Sequence, residues 1–516
     1  MNMTLQKNRI YIPLLLFLLT FAVSGYFSTI GIDPHHDGIM FKPALDVANG
    51  KMLFKDTFSM FNVLSLLIQG AALLIFGKYL ITIKLCNAFF YGLISVLVYS
   101  IFKRFLPRSV VVATVILWIF SAPYFLWTFL AWSTVYALFF LLASLYFLIL
   151  SIEKKDKKAF ILLSGICAAF TFWTRQNIGI VLCLMFMAFF FYEGILRAVS
   201  LKESIRRSLL FLSGLFVISS VIILWLLTNG ALNDWWLQSF VHPHLWSIPV
   251  TQNYTFQLIL QNLFPVTYSQ SPVSLWFLMP IITLYVFLKY VIVSLYSPKS
   301  VSARTVLACI FISIAAWTEY YPIVCYRHVY WGATVMFGTF ALFVYHLAKD
   351  ISGPFTKKST LITNCLTILF LLIVFYPEVS YRITEGIKKS QAQYTVLTAP
   401  SVLQGMRVTE NEADYYTRMA SEISSFLDNN PGKNVINLTM DALYLTFDQR
   451  IQNIHPAYVN LMFLNSDVYP AYWRTYETYW QKNQPLIITY GEFVPPGYCK
   501  DIQIPEMYGT YLVKPC

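Results

Sequence analysis

Long stretches without a single charged residue constrain this chain more than any other feature of its sequence. Residues 109–152, 235–288 and 359–377 contain no Asp, Glu, Lys or Arg. Each is long enough to cross a bilayer, which takes roughly 20 apolar residues per helix. Charged residues make up only 12% of the chain, against about 25% in a typical soluble domain. The sequence therefore predicts a polytopic α-helical membrane protein, and it excludes both a soluble enzyme and a disordered chain.

The charges divide the chain into two domains. Residues 1–377 contain 26 Lys and Arg against 11 Asp and Glu, whereas residues 378–516 contain 11 against 14. We therefore predict a transmembrane domain over 1–377 and a folded extracytoplasmic domain over 378–516. The basic excess belongs to the membrane part, where Lys and Arg in short loops set the orientation. It does not indicate a nucleic-acid partner.

The distribution of Lys and Arg also predicts the topology. The apolar stretch 61–77 could span the membrane or lie in its interface. With the N-terminus in the cytoplasm, an interfacial position places most Lys and Arg of the membrane part inside, as the positive-inside rule favours. About eleven spans follow, and they put the C-terminal domain outside a cytoplasmic (inner) membrane; the predicted spans are 11–31, 80–102, 109–128, 130–151, 159–174, 177–195, 208–229, 272–294, 305–322, 329–347 and 360–377.

The pattern of the C-terminal domain indicates a small α/β fold. Residues 411–429 have helical spacing of apolar positions, and the short runs 434–438 and 485–490 are typical of strands. Cys499 and Cys516 are the cysteines of this domain. They could close a short loop, which would fit an oxidising compartment.

The outer loop 32–79 carries the strongest candidates for chemistry. Asp33, His36 and Asp37 directly follow the first span, and ionisable groups at membrane depth are typical of functional sites. Two carboxylates four residues apart can divide the work of accepting a proton and orienting a substrate. Alternatively, Asp37 caps the helix that begins near Ile39. Lys42, on the same loop, could contact a phosphate or belong to a solvated face.

Two further groups of polar residues lie at the outer ends of spans. Arg175 is followed by Gln176 and Asn177, an arrangement that offers donors to an anion such as a phosphate. Arg327 and His328 form a second pair of basic residues, with Glu319 a few residues earlier. Glu319 could line the substrate site or pair with Arg327 as a buried ion pair.

The loop as a whole resembles that of the C-type membrane glycosyltransferases, in the branch of the protein O-mannosyltransferases and aminoarabinose transferases. The likeness rests on the paired acids, on ALDVANG followed by a K-D-x-F segment, on LLIFG before the second span, and on SGICAAFTFWTRQNIG. The sequence departs from the family in its acids, which stand apart as D-P-H-H-D. The assignment of a base therefore remains open between Asp33 and Asp37, and we favour Asp37 because it directly precedes the interfacial helix.

The resemblance implies a sugar transfer with inversion from a polyprenyl-phosphate-linked donor to an envelope glycan, lipid or protein acceptor. Asp37 and Asp33 would be catalytic, and His36, Gln176, Asn177 and Glu319 would contact substrate. The donor phosphate would be held by Arg175, Arg327, His328 and Lys42. A divalent cation (Mg²⁺ or Mn²⁺) could bind the two acids, although the residues identify no metal site. The alternatives are a flippase or transporter of lipid-linked saccharides, or a ligase or polymerase that uses diphosphate-linked glycans.

Overall fold

The computed structural model describes residues 2–154, 158–245, 278–320, 326–353, 357–455, 470–491, 493–500, 507 and 509–516. A helical bundle forms the first three quarters of the chain, and a small sheet domain follows it. The helices of the bundle are α1 Asn2–Ser28, α2 Pro34–Ala48, α3 Val63–Phe76, α4 Leu80–Phe102, α5 Arg108–Phe120, α6 Ser133–Glu153, α7 Lys158–Thr174, α8 Gln176–Ile195, α9 Leu201–Thr228, α10 Leu232–Trp236, α11 Leu278–Tyr296, α12 Val301–Trp317, α13 Tyr326–Gly332, α14 Thr334–Ser352 and α15 Lys357–Gln391.

Eight segments of the described chain are long and apolar enough to cross a membrane, which confirms the predicted polytopic helical class. They are Tyr11–Ser28, Leu80–Phe102, Ser133–Glu153, Gln176–Ile195, Leu201–Thr228, Leu278–Tyr296, Val301–Tyr320 and Ser359–Gln391. Each of the eleven predicted spans overlaps a helix, but three of them, 109–128, 159–174 and 329–347, are not among these eight segments. Two of the three correspond to the shorter helices α5 and α7. The number of crossings therefore stays a prediction. Residues 272–277 and 321–322 of two predicted spans lie outside the described residues.

Two short helices fill the loop between the first and second long helices. With 14 residues and a rise of about 1.5 Å per residue, α3 is shorter than a bilayer core of roughly 30 Å. The Asn62 side chain caps α3 by accepting a hydrogen bond from the Val63 N–H. The neighbouring α2 is buried along most of its length and packs on α3, where Gly70 lies against Val47 and Ala44.

The sheet domain follows α15, which continues beyond the predicted domain boundary at 377. Glu378 and Arg382, one turn apart on α15, form a buried ion pair that supports the extra helical turns. The strands are β1 Thr395–Val396, β2 Arg407–Val408, β3 Val435–Asn437, β4 Leu486–Tyr490, β5 Tyr498–Lys500 and β6 Thr510–Pro515, and the helices are α16 Glu410–Asn429 and α17 Pro470–Asn483.

The small α/β fold predicted for this domain is confirmed. The four-stranded sheet has the order β3-β4-β6-β5, in which β3 and β4 are parallel and the other pairs are antiparallel. A capping box of Thr409 and Glu412 begins α16. Cys499 and Cys516 form a disulfide, a pairing that the sequence left open.

The sheet domain is attached to the bundle through main-chain contacts at the end of α1. The Arg407 N–H donates to Thr29 O, and the Gly31 N–H donates to Arg407 O, both at 2.8 Å. The Arg407 side chain donates to the Thr29 hydroxyl and lies over the Tyr26 ring. These contacts hold the sheet domain directly over the loop that carries the acids.

Candidate active site

The loop after α1 begins helix α2 with an acidic cap. Asp33 Oδ1 accepts a hydrogen bond from the His36 N–H at 2.9 Å, and Asp33 Oδ2 lies 2.8 Å from His36 Nδ1. Burial alone would raise the pKa of Asp33, but the hydrogen bonds and charge of His36 hold that pKa below its ordinary value. Asp33 therefore starts the helix and also orients the imidazole of His36.

Asp37 lies one turn further along α2 and is completely buried. Its Oδ2 lies 2.7 Å from Lys84 Nζ and accepts a hydrogen bond from the Asp33 N–H at 3.0 Å. Its Oδ1 has no hydrogen-bond partner in the described part of the chain. Burial raises the pKa of Asp37, and the Lys84 ammonium offsets that shift only in part. The alternative for Asp37, capping α2, is the role of Asp33. The prediction that Asp37 directly precedes the interfacial helix is wrong, because α2 already begins at Pro34 and Asp37 lies within its first turn.

Lys84 is a site residue that the sequence reasoning missed. It lies near the start of α4, is fully buried and also donates a hydrogen bond to Gly31 O at 3.1 Å. The signal in the sequence is a lysine at the start of an apolar helix, at the end that the predicted topology places outside, where the positive-inside rule disfavours it. A buried charge at the end of a membrane helix indicates a functional role.

Arg175 and Glu319 form a second ion pair at the same end of the bundle. Arg175 Nη2 donates to both carboxylate oxygens of Glu319, at 3.1 and 3.0 Å. The Glu319 carboxylate also accepts from the Thr134 hydroxyl at 2.6 Å, and the Arg175 guanidinium lies over the Phe61 ring. The alternative weighed for Glu319 was an ion pair with Arg327, and the structure gives it Arg175 instead.

Arg327 and His328 begin the short helix α13 beside these groups. The Arg327 guanidinium stacks on the Trp127 ring, 5.5 Å from its centroid, and lies within electrostatic range of Asp33 and Lys389. His328 Nε2 lies 3.9 Å from Glu319. Lys389 interacts electrostatically with both Arg327 and Lys84, close to the acids of the loop between α1 and α4.

The remaining predicted residues lie apart from this group. The Lys42 ammonium is buried and contacts both oxygens of Asp46 at 2.7 Å, and burial lowers the pKa of Lys42 to about 8. Gln176 donates a side-chain hydrogen bond to Ser239 O. Asn177 is exposed. The structure thus brings together the two acids, the two arginines, Glu319, His36 and His328. It does not bring Lys42, Gln176 and Asn177 into this group.

The sheet domain also contributes to the neighbourhood of the acids. His35 Nδ1 lies 2.8 Å from Met440 O. A Cβ on Gly38 would lie 2.3 Å from the Leu443 backbone nitrogen, so α2 and the turn after Met440 meet with no room for a side chain. Asp441 in this turn is 4% exposed, and burial raises its pKa to about 6.

The acids do not form a metal site in the described residues. No group of three or more His, Cys, Asp or Glu side chains in these ranges is placed to hold a metal ion. Asp33 is bonded to His36 and Asp37 to Lys84, so the two carboxylates do not converge as metal ligands. The residues present do not fit the divalent cation that the sequence left open.

Part of the chain matches a known family. A family model for dolichyl-phosphate-mannose-protein mannosyltransferases matches residues 63–233, a segment that contains Lys84 and Arg175. Among curated proteins, no significant match was found. The matched segment includes the starts of α4 and α8, where two of the cations described above lie.

The whole fold is similar to solved membrane enzymes. ArnT from Cupriavidus metallidurans, bound to undecaprenyl phosphate, is 11% identical with a TM-score of 0.54, and the match covers 98% of this chain and 98% of that chain. An oligosaccharyltransferase from Archaeoglobus fulgidus, in complex with zinc and sulfate, is 12% identical with a TM-score of 0.54, covering 92% and 67%. AglB from the same organism, with an inhibitory peptide and a dolichol-phosphate, is 11% identical with a TM-score of 0.50, covering 93% and 69%. At such identities the likeness shows the fold.

Proposed function

Since this chain has the fold of the C-type membrane glycosyltransferases, we propose that it transfers a sugar from a polyprenyl-phosphate-linked donor, with inversion, to an envelope acceptor. The observation that carries the proposal is the buried pair of Asp37 and Lys84, set beside further cations at one end of the bundle. The reaction would take place on the outer face of a cytoplasmic membrane, with the N-terminus inside and the sheet domain outside. The family match to residues 63–233 and the fold support this class.

The cations at the site suit the leaving group of this reaction. As the bond between the sugar and the phosphate breaks, negative charge grows on the phosphate, and fixed cations in a dry site stabilise that charge by several kcal/mol. We assign this role to Arg327 and Lys84, together with Arg175, which Glu319 orients, and His328. Lys42 is left out because its ammonium is bound to Asp46.

Asp37 is the proposed base. Its Oδ1 is buried without a hydrogen-bond partner in the described part of the chain, and a raised pKa brings a carboxylate closer to the range in which it takes a proton from a hydroxyl. The acceptor hydroxyl would lose its proton to Asp37 while its oxygen bonds to the anomeric carbon. The bond from that carbon to the phosphate breaks, and polyprenyl phosphate leaves with the bonding electrons.

The test is sugar transfer by the purified protein in lipid vesicles, with synthetic polyprenyl-phosphate sugars as donors and cell-envelope extract as acceptor. Wild-type protein is expected to release free polyprenyl phosphate and to form a product of inverted anomeric configuration. Asp37→Asn should lower the rate by about 10²-fold or more, the usual contribution of a general base. Asp56→Asn, on the same loop but exposed, is the matched control and should retain the wild-type rate.

Two results would contradict the proposal. Full activity of Asp37→Asn would remove Asp37 as the base and leave the donor class standing. Release only from diphosphate-linked glycans, with none from monophosphate donors, would exclude the donor class and favour a ligase or polymerase.

A further inference from the structure

The turn of the sheet domain that contacts α2 places a further acid, Asp441, near Asp33. Asp441 follows Met440, whose carbonyl oxygen lies 2.8 Å from His35 Nδ1. The backbone of the next two residues, Ala442 and Leu443, lies against Gly38. This turn is therefore held at the start of α2 by direct backbone contact, and Asp441 is held with it.

The surroundings of Asp441 are polar but contain no cationic partner in the described ranges. Its carboxylate is 4% exposed, forms no ion pair among the described residues, and lies beside the Tyr490 and Thr510 hydroxyls. It is within electrostatic range of Asp33 and His36. A carboxylate has about four acceptor positions, and the Tyr490 and Thr510 hydroxyls occupy at most two of them, so Asp441 can also accept hydrogen bonds from a ligand.

Two unsatisfied polar atoms flank the same histidine. Asp37, next to His36 in the chain, has a fully buried Oδ1 with no hydrogen-bond partner among the described residues. The Trp132 ring lies 5.4 Å from the His36 ring, and its buried Nε1 likewise lacks an acceptor in that part of the chain. One atom needs a donor and the other needs an acceptor. A hydroxyl group can serve either atom, because it both donates and accepts hydrogen bonds.

We propose that Asp441 of the sheet domain, with His36 and Trp132, binds the acceptor, and that the acceptor is an uncharged glycan. This inference rests on the proposed glycosyltransferase function, and it names the class of the acceptor substrate. Carboxylates and an indole N–H recognise sugar hydroxyls by hydrogen bonds, and the Trp132 and Tyr490 rings offer flat apolar surfaces to a sugar ring.

Charge favours a neutral acceptor over an anionic one. Asp33 and Asp441 interact electrostatically, so a phosphorylated acceptor would bring a further negative charge next to two carboxylates. Lys389 interacts electrostatically with both Lys84 and Arg327, and of these three cations Arg327 and Lys84 are assigned to the donor phosphate. A phosphate on the acceptor would therefore be repelled by the acids or would compete with the donor.

The experiment measures transfer to two matched sets of acceptors, methyl hexosides and their 6-phosphates, with a saturating polyprenyl-phosphate sugar as donor. Wild type is expected to use the neutral hexosides with a higher kcat/KM. Asp441→Asn should raise the KM for the acceptor by about 10-fold or more, the loss expected when a hydrogen bond to a charged group is weakened. Its KM for the donor should remain that of wild type.

Two further variants separate binding from folding. Asp448→Asn changes an acid of the same domain that is bound to Arg450 and Ser424, and it should leave the acceptor KM unchanged. Asp441→Glu retains the charge and should restore part of the acceptor affinity. A melting temperature for each variant shows whether it folds.

The outcomes distinguish this inference from the proposed function. If wild type releases polyprenyl phosphate but Asp441→Asn keeps the wild-type acceptor KM, or if the 6-phosphates are the better acceptors, the inference is wrong while the donor class stands. If wild type releases nothing from any polyprenyl-phosphate donor, the proposed function is wrong and the inference falls with it.

Discussion

At the scale of single residues, the pair of Asp37 and Lys84 makes the clearest prediction. Both side chains are completely buried, and removal of one partner of a buried pair leaves an uncompensated charge that costs about 3–5 kcal/mol. We expect Lys84→Met to lower the melting temperature in detergent strongly. The double variant Asp37→Asn/Lys84→Met should melt closer to wild type than Lys84→Met alone.

The control for these Asp37 and Lys84 variants is an exposed ion pair on α15. Lys388 and Glu385 are joined by a hydrogen bond at the surface, and surface pairs contribute little to stability. Lys388→Met should therefore melt like wild type. Equal melting temperatures for Lys84→Met and Lys388→Met would show that the buried pair has no special role in stability.

A second residue-scale prediction concerns pH. Burial raises the pKa of Asp441 from its ordinary value of 3.8 to about 6, so the carboxylate takes up a proton as the pH falls through about 6 and accepts hydrogen bonds less well. The acceptor KM of wild type should rise below that pH, and this rise should be absent in Asp441→Asn. The titratable groups that interact with Asp441 are Asp33, His36, Tyr415, Tyr444 and Tyr490.

The sign of the effect on stability follows from the same shift. Because the folded-state pKa lies above the unfolded value, ionisation of Asp441 opposes folding, and this penalty is full only above about pH 6. Asp441→Asn should therefore gain more in melting temperature over wild type at pH 8 than at pH 5. An equal difference in melting temperature between Asp441→Asn and wild type at both pH values would contradict the raised pKa of Asp441.

The sequence identified part of the site and could not identify the rest. Asp33, Asp37, Arg175 and Arg327 were recognisable because each lies at the outer end of a predicted span. Their partners depend on how distant segments pack, which no local pattern contains. The pairing of Glu319 with Arg175 in preference to Arg327 is of this kind.

The same limit applies to Lys84 and Asp441. Lys84 meets Asp37 because α4 packs beside α2, and Asp441 reaches this neighbourhood from the far end of the chain. Lys84 had a readable signal, because it lies at the end of an apolar helix that the predicted topology places outside. Asp441 had none, because it is one acid among many in a charged domain.

At the scale of elements, the contact between α2 and the turn at residues 442–446 depends on one glycine. A Cβ on Gly38 would lie 2.3 Å from the Leu443 nitrogen and 2.9 Å from the Ala442 carbonyl carbon, and both are backbone atoms that a rotamer change cannot move away. We expect Gly38→Ala to separate the turn from α2. Amide hydrogen exchange in residues 439–446 should become faster, and the acceptor KM should rise.

Gly25→Ala provides the matched control on α1. Its Cβ would meet only the Leu85 side chain at 3.7 Å, which is an ordinary contact distance. This variant should exchange like wild type at residues 439–446. If Gly38→Ala also does so, the docking of the sheet domain does not depend on the close approach at α2.

Periodicity predicted the elements well but not where the last membrane helix ends. The spacing of apolar residues indicated the helix at 411–429, and the structure has it at Glu410–Asn429. The apolar run of the last span stops at Pro377, yet α15 extends to Gln391. Hydropathy locates the end of the apolar run and not the end of the helix. The helix continues beyond that run because its polar residues find partners, as Glu378 and Arg382 do.

At the scale of the whole molecule, the proposed function depends on which side of the membrane carries the site. His35, which lies between the two acids of the first loop, contacts Met440 of the sheet domain, so the acids and the sheet domain lie on one face. The basic loops between the predicted spans favour the outside for that face. We expect a cysteine at position 428, an exposed aspartate of the sheet domain, to react with a membrane-impermeant maleimide on intact cells. A cysteine at the exposed position Lys202, just after the start of α9, should react only after the membrane is opened.

Both cysteine variants are made in a protein whose six other cysteines are replaced by serine. Cys499 and Cys516 are joined in a disulfide, so the introduced cysteine is then the one free thiol. Labelling in the reverse order would place the acids, the cations and the sheet domain in the cytoplasm. A lipid-linked donor that reacts on the outer face would then be out of reach. The orientation of the chain is thus a condition for the donor class itself, and the labelling tests it without any knowledge of the sugar.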